Sequence, residues 1–243
     1  MENNNSNYVY KNVMQLDDAD ASRKFIANVF LWMFVALGIS ALCAYIFAND
    51  QSLYSLLRNP ETGRNTGLGT IVMFAPLAFI LLISFGFNRL SYGVLALLFI
   101  AYAAVMGMSL SFILLAFTAS SVLGVFITAS VLFGVMAIAG YTTNQDLTKF
   151  GSLMIMLLFG IIIASLVNFF LHSSGLAVII SYVGVAVFVG LTAYDVQKLK
   201  NIGAGLEYGA APAKKMALMG GLTLYLDFVN LFLMLLRVFG RRR

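Results

Sequence analysis

Charge is what this chain has least of. Asp, Glu, Lys and Arg make up 10% of its 243 residues, where an ordinary soluble domain carries about a quarter. So few charged side chains cannot cover a water-facing surface. With 61% hydrophobic residues and a mean hydropathy of +0.92, a soluble globular domain is excluded. Cysteine and histidine are nearly missing as well. Cys43 and His172, one of each, cannot close an internal disulfide and are too few for a zinc site. Cys43 lies in an apolar run and reads as a small buried hydrophobe. His172 falls at a predicted membrane boundary. The net charge of +5 comes from residues spread over loops and ends, a topology signal and not a nucleic-acid surface. Met1–Lys24 lacks an apolar core segment near its start, so it is not expected to be a cleavable signal peptide. Its opening, Glu2-Asn3-Asn4-Asn5-Ser6-Asn7, is expected to be disordered. Asp17, Asp18 and Asp20 with Ser22-Arg23-Lys24 lead into the first apolar run.

The hydrophobic residues come in runs of about 20, enough to cross a core of ~30 Å at ~1.5 Å per residue. They do not alternate with the period of two that a barrel strand needs. The chain therefore reads as an all-α membrane protein, a seven-transmembrane-helix bundle. The predicted spans are Phe25–Phe47, Thr70–Phe87, Tyr92–Phe117, Ser121–Thr142, Gly151–Leu171, Leu176–Val196 and Ala217–Val238. The domain plan is a polar tail over 1–24, a membrane domain over 25–238 and a basic tail over 239–243. The longest outer loop, Ala48–Gly69, carries Pro60, Gly63, Gly67 and Gly69. Links at Asn88–Ser91, Thr118–Ser120 and His172–Gly175 are short and force antiparallel neighbours. Pro76 removes one backbone bond from the second span and should kink it. Gly107, Ser109 and Ser111 in the third span, and Gly184 with Gly190 in the sixth, allow close helix approach.

Charge bias orients the bundle with its N-terminus in the cytoplasm. The inner side then holds Lys11, Arg23, Lys24, Arg89, Lys149, Lys198, Lys200, Lys214 and Lys215. The outer side holds Arg58, Arg64, Arg237, Arg241, Arg242 and Arg243. The four C-terminal arginines weaken the bias. A re-entrant last segment would bring them inside, but Ala217–Val238 is long enough to span, and seven full spans are expected.

Of the ten acidic residues, Glu2, Asp17, Asp18, Asp20, Asp50, Glu61, Asp146 and Glu207 lie in the tail or in loops. Only Asp195 and Asp227 fall within apolar spans. A carboxylate in hydrocarbon is costly and normally faces a partner or a water-filled cavity. Two on consecutive spans are expected to meet. Asp195 could instead be interfacial, capped by Lys198 and Lys200, but Asp227 has apolar neighbours on both sides. Asp195 lies ~28 Å along the sixth span, near the inner surface. Asp227 is ~15 Å deep if its helix starts at Ala217, or ~10 Å if Gly220-Gly221 marks the start. Two close carboxylates cannot both ionise cheaply; they share a proton and titrate together. They also offer hard oxygens for Ca2+, but too few for a tight site, which suits passage better than storage. Asn230 shares a helical face with Asp227, and Asn168 shares one with Ser165. Both asparagines are candidate polar lining, or else interhelical hydrogen-bond partners. Arg89, at the inner end of the second span, could pair with an exposed carboxylate; on the residues alone a lipid-headgroup anchor is favoured.

Several of these stretches occur together in a known pattern. They are Gly190-Leu191-Thr192-Ala193-Tyr194-Asp195 with Gln197-Lys198-Leu199-Lys200, and Leu224-Tyr225-Leu226-Asp227-Phe228-Val229-Asn230-Leu231-Phe232. Gly140-Tyr141-Thr142-Thr143, Asp146-Leu147, Gly151-Ser152, Ala164-Ser165-Leu166-Val167-Asn168 and Gly107-Met108-Ser109-Leu110-Ser111 complete the set. As a set they resemble the Bax inhibitor-1 (transmembrane Bax-inhibitor-motif) family, from about Ile71 to Arg237. The resemblance implies seven helices with the last one central, and a pH-sensitive Ca2+ leak. It implies a sensing aspartate pair at Asp195 and Asp227, and an arginine latch that maps onto Arg89. Ca2+ is then the transported ion, with no tightly bound cofactor. Eukaryotic members of the family modulate cell death. Bacterial ones are linked to a membrane-bound quality-control protease, and the plain architecture here looks bacterial, of the inner membrane. The competing expectations are a non-conducting regulator of such a protease and an intramembrane aspartyl protease. The latter wants Tyr-Asp on one helix and Gly-x-Gly-Asp on the next. Tyr194-Asp195 fits, but Leu224-Tyr225-Leu226-Asp227 puts bulk where glycines would admit a substrate backbone. The chain is therefore expected not to be an enzyme.

Overall fold

The computed structural model describes residues 5–206 and 211–243, with side chains from Asp20 onward. Among the described residues there are eight helices: α1 (Asn5–Asn49), α2 (Gln51–Leu57), α3 (Gly67–Gly86), α4 (Tyr92–Ala116), α5 (Ala119–Thr142), α6 (Thr148–Leu171), α7 (Ser174–Ala204) and α8 (Ala211–Phe239). All but α2 are long and apolar enough to cross a membrane. Short polar caps start three of them: Thr66, Ser91 and Ser173 each accept an amide of the following first turn, which satisfies donors that hydrocarbon would leave stranded. α3 runs on through Pro76.

The outer loop is more ordered than its glycines and Pro60 suggest. Asp50 caps α2, its carboxylate held below the usual range by the Ser52 hydroxyl and the Leu53 and Ser52 amides. Arg58 then pairs with Asn65 across a turn in which Gly63 takes φ 64°. That left-handed conformation suits glycine.

α7 and α8 are the most enclosed spans. Half or more of their apolar windows is buried, against 28% or less in the other five. α8 packs against α1, α4, α5 and α7, so the last helix is central. Backbones touch where a side chain is missing. A Cβ on Gly107 of α4 would run into the Ser40 carbonyl of α1. One on Gly140 of α5 would strike Ala193 of α7, and one on Gly221 of α8 would strike Trp32 and Val29 of α1. Close approach of this kind is how helices associate where lipid removes the hydrophobic drive. Gly184 and Gly190 serve similarly, against Met234 and against Met154 with Phe150.

α8 crosses completely. Near its start Lys215 Nζ donates to the Leu90 carbonyl just before α4 (2.6 Å). Past its end, Thr118 N donates to the Arg241 carbonyl and Arg243 N to the Ala116 carbonyl, just beyond α4. α8 thus lies parallel to the whole of α4, roughly 37 Å of helix, and a re-entrant last segment is ruled out. The two chain ends lie at opposite ends of the bundle.

Three boundaries differ from expectation. α7 continues past Val196 to Ala204 because Gln197 and Leu199 are buried on its far turns. α8 begins at Ala211, before Ala217. The end of the polar tail belongs to the packed helix: Ser22 is buried, and its hydroxyl donates to the Lys200 carbonyl (3.0 Å). Met1–Asn4 and Glu207–Ala210 lie outside the described residues, as do the side chains of the expected disordered stretch before Asp20. The basic tail after 238 is bound to the bundle through Arg241 and Arg243, with Arg242 also over the Phe117 ring.

The glycine contacts are testable. Gly140→Val should force α5 from α7 against a backbone that cannot yield, costing about 1–3 kcal/mol and lowering the melting temperature in detergent. Gly134→Val on the same helix faces open space and should melt like the wild type. Equal melting of both variants would contradict the packing described.

Candidate functional site

The site is built by the α7–α8 hairpin. Gly184 faces Met234, and Leu199 faces Gly220. That antiparallel register places Asp195 beside Asp227, their carboxyl groups within reach of a shared hydrogen bond. A hydrogen bond between two carboxyls needs a proton on one of them. Asp227 is buried at 5% exposure, Asp195 half-buried. Leu224 and Phe228, near Asp227 on α8, are buried, and Phe228 stacks edge-on with Phe126 and Phe133 of α5. Asp227 Oδ2 has no protein partner.

The depth estimates change with the helix boundaries. Asp195 stands nine residues before the end of α7 and Asp227 sixteen after the start of α8, about 14 Å and 24 Å of helix. Asp195 is not held by both lysines. Lys198 does act electrostatically on it. Lys200 turns away and donates to the Tyr141 carbonyl (2.7 Å).

The other candidates are more dispersed. Asn230 is half-buried, and its amide is tied back to the Leu226 carbonyl (2.9 Å). Asn168 stands at the opposite end of the bundle, where its side chain accepts the Ser173 amide and shapes the α6–α7 link. It does not line the aspartate site; about 30 Å of α7 separates them. Arg89 is exposed in the link between α3 and α4, at the aspartate end. Among the described residues the one ion pair is Arg23–Asp20 on the exposed face of α1 (3.9 Å); Arg89 pairs with neither aspartate in this arrangement. α3 packs chiefly on α4.

Two polar features escaped the residue-by-residue reading. Gln197 bolts α7 to the α5–α6 link, accepting from Leu147 N and donating to the Gln145 carbonyl. A conspicuous amide beside the aspartate motif was the available signal. On the other face of α8, Tyr225 OH shares a 2.7 Å hydrogen bond with Ser40, whose hydroxyl also lies 2.7 Å from the Ala103 carbonyl. The buried Tyr102 hydroxyl beside them has no partner.

Among the described residues no third acidic, His or Cys side chain joins the pair in a metal-ligand group. The carboxyls alone fit only part of the six to eight oxygens of Ca2+. Side by side, they form a dicarboxyl site in a largely apolar interior.

These features define a multi-pass helical membrane protein with a buried dicarboxyl site beside its central helix. The sequence comparisons agree. The family model described as inhibitor of apoptosis-promoting Bax1 matches residues 22–243, and the chain belongs to the Bax inhibitor-1 family. The inner membrane protein YbhL of Escherichia coli K12 is 45% identical over 220 residues, 90% of this chain and 92% of its own length. A protein of Rickettsia prowazekii is 42% identical over 224 residues, 91% of each chain. One from Borreliella burgdorferi is 42% identical over 221 residues, 90% of this chain and 93% of its own.

The carboxyl contact can be checked chemically. With Cys43→Ala as background, Asp195→Cys with Asp227→Cys should be joined within one chain by a short bifunctional maleimide. Asn168→Cys with Asp227→Cys should not. A folded first pair that fails to react would contradict the register of α7 and α8.

Proposed function

We propose that this protein is a Ca2+-permeable leak channel of the bacterial inner membrane, gated by protonation of Asp195 and Asp227. The observation that carries this reading is the convergence of the two carboxyls inside an otherwise apolar bundle. A polar pair kept there at a desolvation cost is expected to work on ions or protons. Its few oxygens suit brief coordination of a passing cation more than retention. The basic residues at the aspartate end support a cytoplasmic N-terminus.

Arg89 is the proposed latch. With one carboxyl protonated the aspartates bond to each other, and Arg89 is left apart; that is the acid-side state. When both ionise, their repulsion favours separation, and Arg89 at the same end of the bundle offers Asp195 a counter-ion. Pairing would draw the α3 end toward α7 and close the inner mouth. Acid breaks the pair and opens the path. A bidentate Arg–carboxylate contact in a partly dry site exceeds the ~0–1 kcal/mol of a surface pair, and a few kcal/mol suffices to move a two-state gate. No substrate turnover is proposed: Leu224-Tyr225-Leu226 stands before Asp227 where an intramembrane aspartyl protease would have its glycines.

Ca2+ flux from liposomes, measured against pH, tests this. A single gating proton allows a change of up to about tenfold per pH unit. Asp195→Asn and Asp227→Asn should each flatten the curve. Arg89→Ala should raise flux at neutral pH and weaken the response to acid. Flux indistinguishable from protein-free vesicles would favour a non-conducting regulator of a membrane protease. An unchanged pH curve in either aspartate variant would remove the pair as the sensor. Unchanged flux per folded Arg89→Ala protein would make Arg89 a lipid anchor.

A further inference from the structure

At the aspartate end, outside the dicarboxyl site, α6 and α7 leave an open cavity of about 320 Å3 lined by Thr148, Tyr194, Gln197, Lys198, Asn201 and Ile202. Its walls are held in place. Gln197 spends its amide on the α5–α6 link. The Tyr194 ring lies where a Cβ on Gly151 would be, so it is fixed against the start of α6. Asp146, the one carboxylate on that link, is turned onto the Thr148 amide and hydroxyl. It is held below the usual carboxylate range by these bonds, with a smaller contribution from Lys149. The exposed Lys198 ammonium stands 5.9 Å from the Tyr194 ring centre, and Asn201 beside it is exposed. The cavity thus combines a cation, an amide donor and an aromatic wall, between the last turns of α7 and the start of α6.

The geometry points to a binding site for a phosphate-bearing anion in the Thr148–Tyr194–Lys198–Asn201 cavity, of the class presented by an anionic phospholipid headgroup or by free phosphate. Lys198 supplies the charge, Asn201 supplies a polar contact, and Tyr194 with Ile202 takes the apolar part of a headgroup. A juxtamembrane lysine attracts an anionic lipid surface over a short range; the cavity adds a fixed place for one phosphate. Lys198 also acts on Asp195, so an occupant would compete with that aspartate for the same cation.

Binding is measured by calorimetry on the full chain in detergent, with no need for ion flux, so it stands apart from the channel reading. The probes are dihexanoyl-phosphatidylglycerol, dihexanoyl-phosphatidylcholine and inorganic phosphate. Phosphatidylglycerol should bind more tightly than phosphatidylcholine, and Lys198→Met should weaken it by about fivefold, the worth of one interfacial lysine. Asn201→Leu should weaken it too. Arg237→Met, a cation at the opposite end, should not. If inorganic phosphate binds with the same Lys198 dependence, the anion is soluble; if only the lipid binds, it is a headgroup. Equal affinity of wild type and Lys198→Met for both anionic probes, or an equal loss in Arg237→Met, would overturn the site.

Discussion

The structure depends on keeping a carboxyl group inside a bundle that offers almost no polar neighbours. Asp227 sits on the helix that packs against four others, and neither lipid nor the nearby Leu224 and Phe228 can solvate a charge. Unpaired, an ionised carboxylate there would be strongly unfavourable. On the proposed reading Asp195 relieves this by sharing a proton with it. The contact holds only while α7 and α8 keep their register, and that register rests on Leu199 against Gly220 and Gly184 against Met234. Holding a proton and holding the hairpin are therefore one condition.

The rest of the bundle supports that hairpin from three sides. Gly221 lets α1 lie against the backbone of α8, and Gly140 lets α5 lie against α7. Ser22, Gln197 and Lys200 tie the far turns of α7 to α1 and to the α5 end. At the other end Arg241 and Arg243 fasten the chain terminus to the α4–α5 link. α3, by contrast, packs mainly on α4, and α6 mainly on α7. These outer helices have fewer packed partners to lose on moving. The proposed Arg89 latch places the moving part on one of them.

Much of this was legible in the sequence because lipid imposes simple rules. Apolar runs of membrane length gave seven spans, and the scarcity of acid made Asp195 and Asp227 conspicuous. The boundaries were less legible. Gln197, Lys198 and Lys200 looked like the end of the sixth span, yet a helix leaving the membrane keeps its hydrogen bonds in water as well as in lipid. Its two further turns carry α7 beyond the expected boundary. Asn168 looked like polar lining; its role in the α6–α7 link depends on a long-range position that helical periodicity does not reveal. Ser40 and Tyr225 carried little signal, since neither is unusual in an apolar helix until the other is placed beside it.

The central claim is that Asp195 and Asp227 hold one proton between them. Infrared titration of the carboxyl C=O stretch in reconstituted protein addresses it directly. The wild type should show a protonated-carboxyl band from the pair, and either single substitution, Asp195→Asn or Asp227→Asn, should shift its titration and remove the coupled step. A band that keeps its wild-type midpoint in one of these variants would mean that the two aspartates titrate independently, and the shared proton would have to be abandoned.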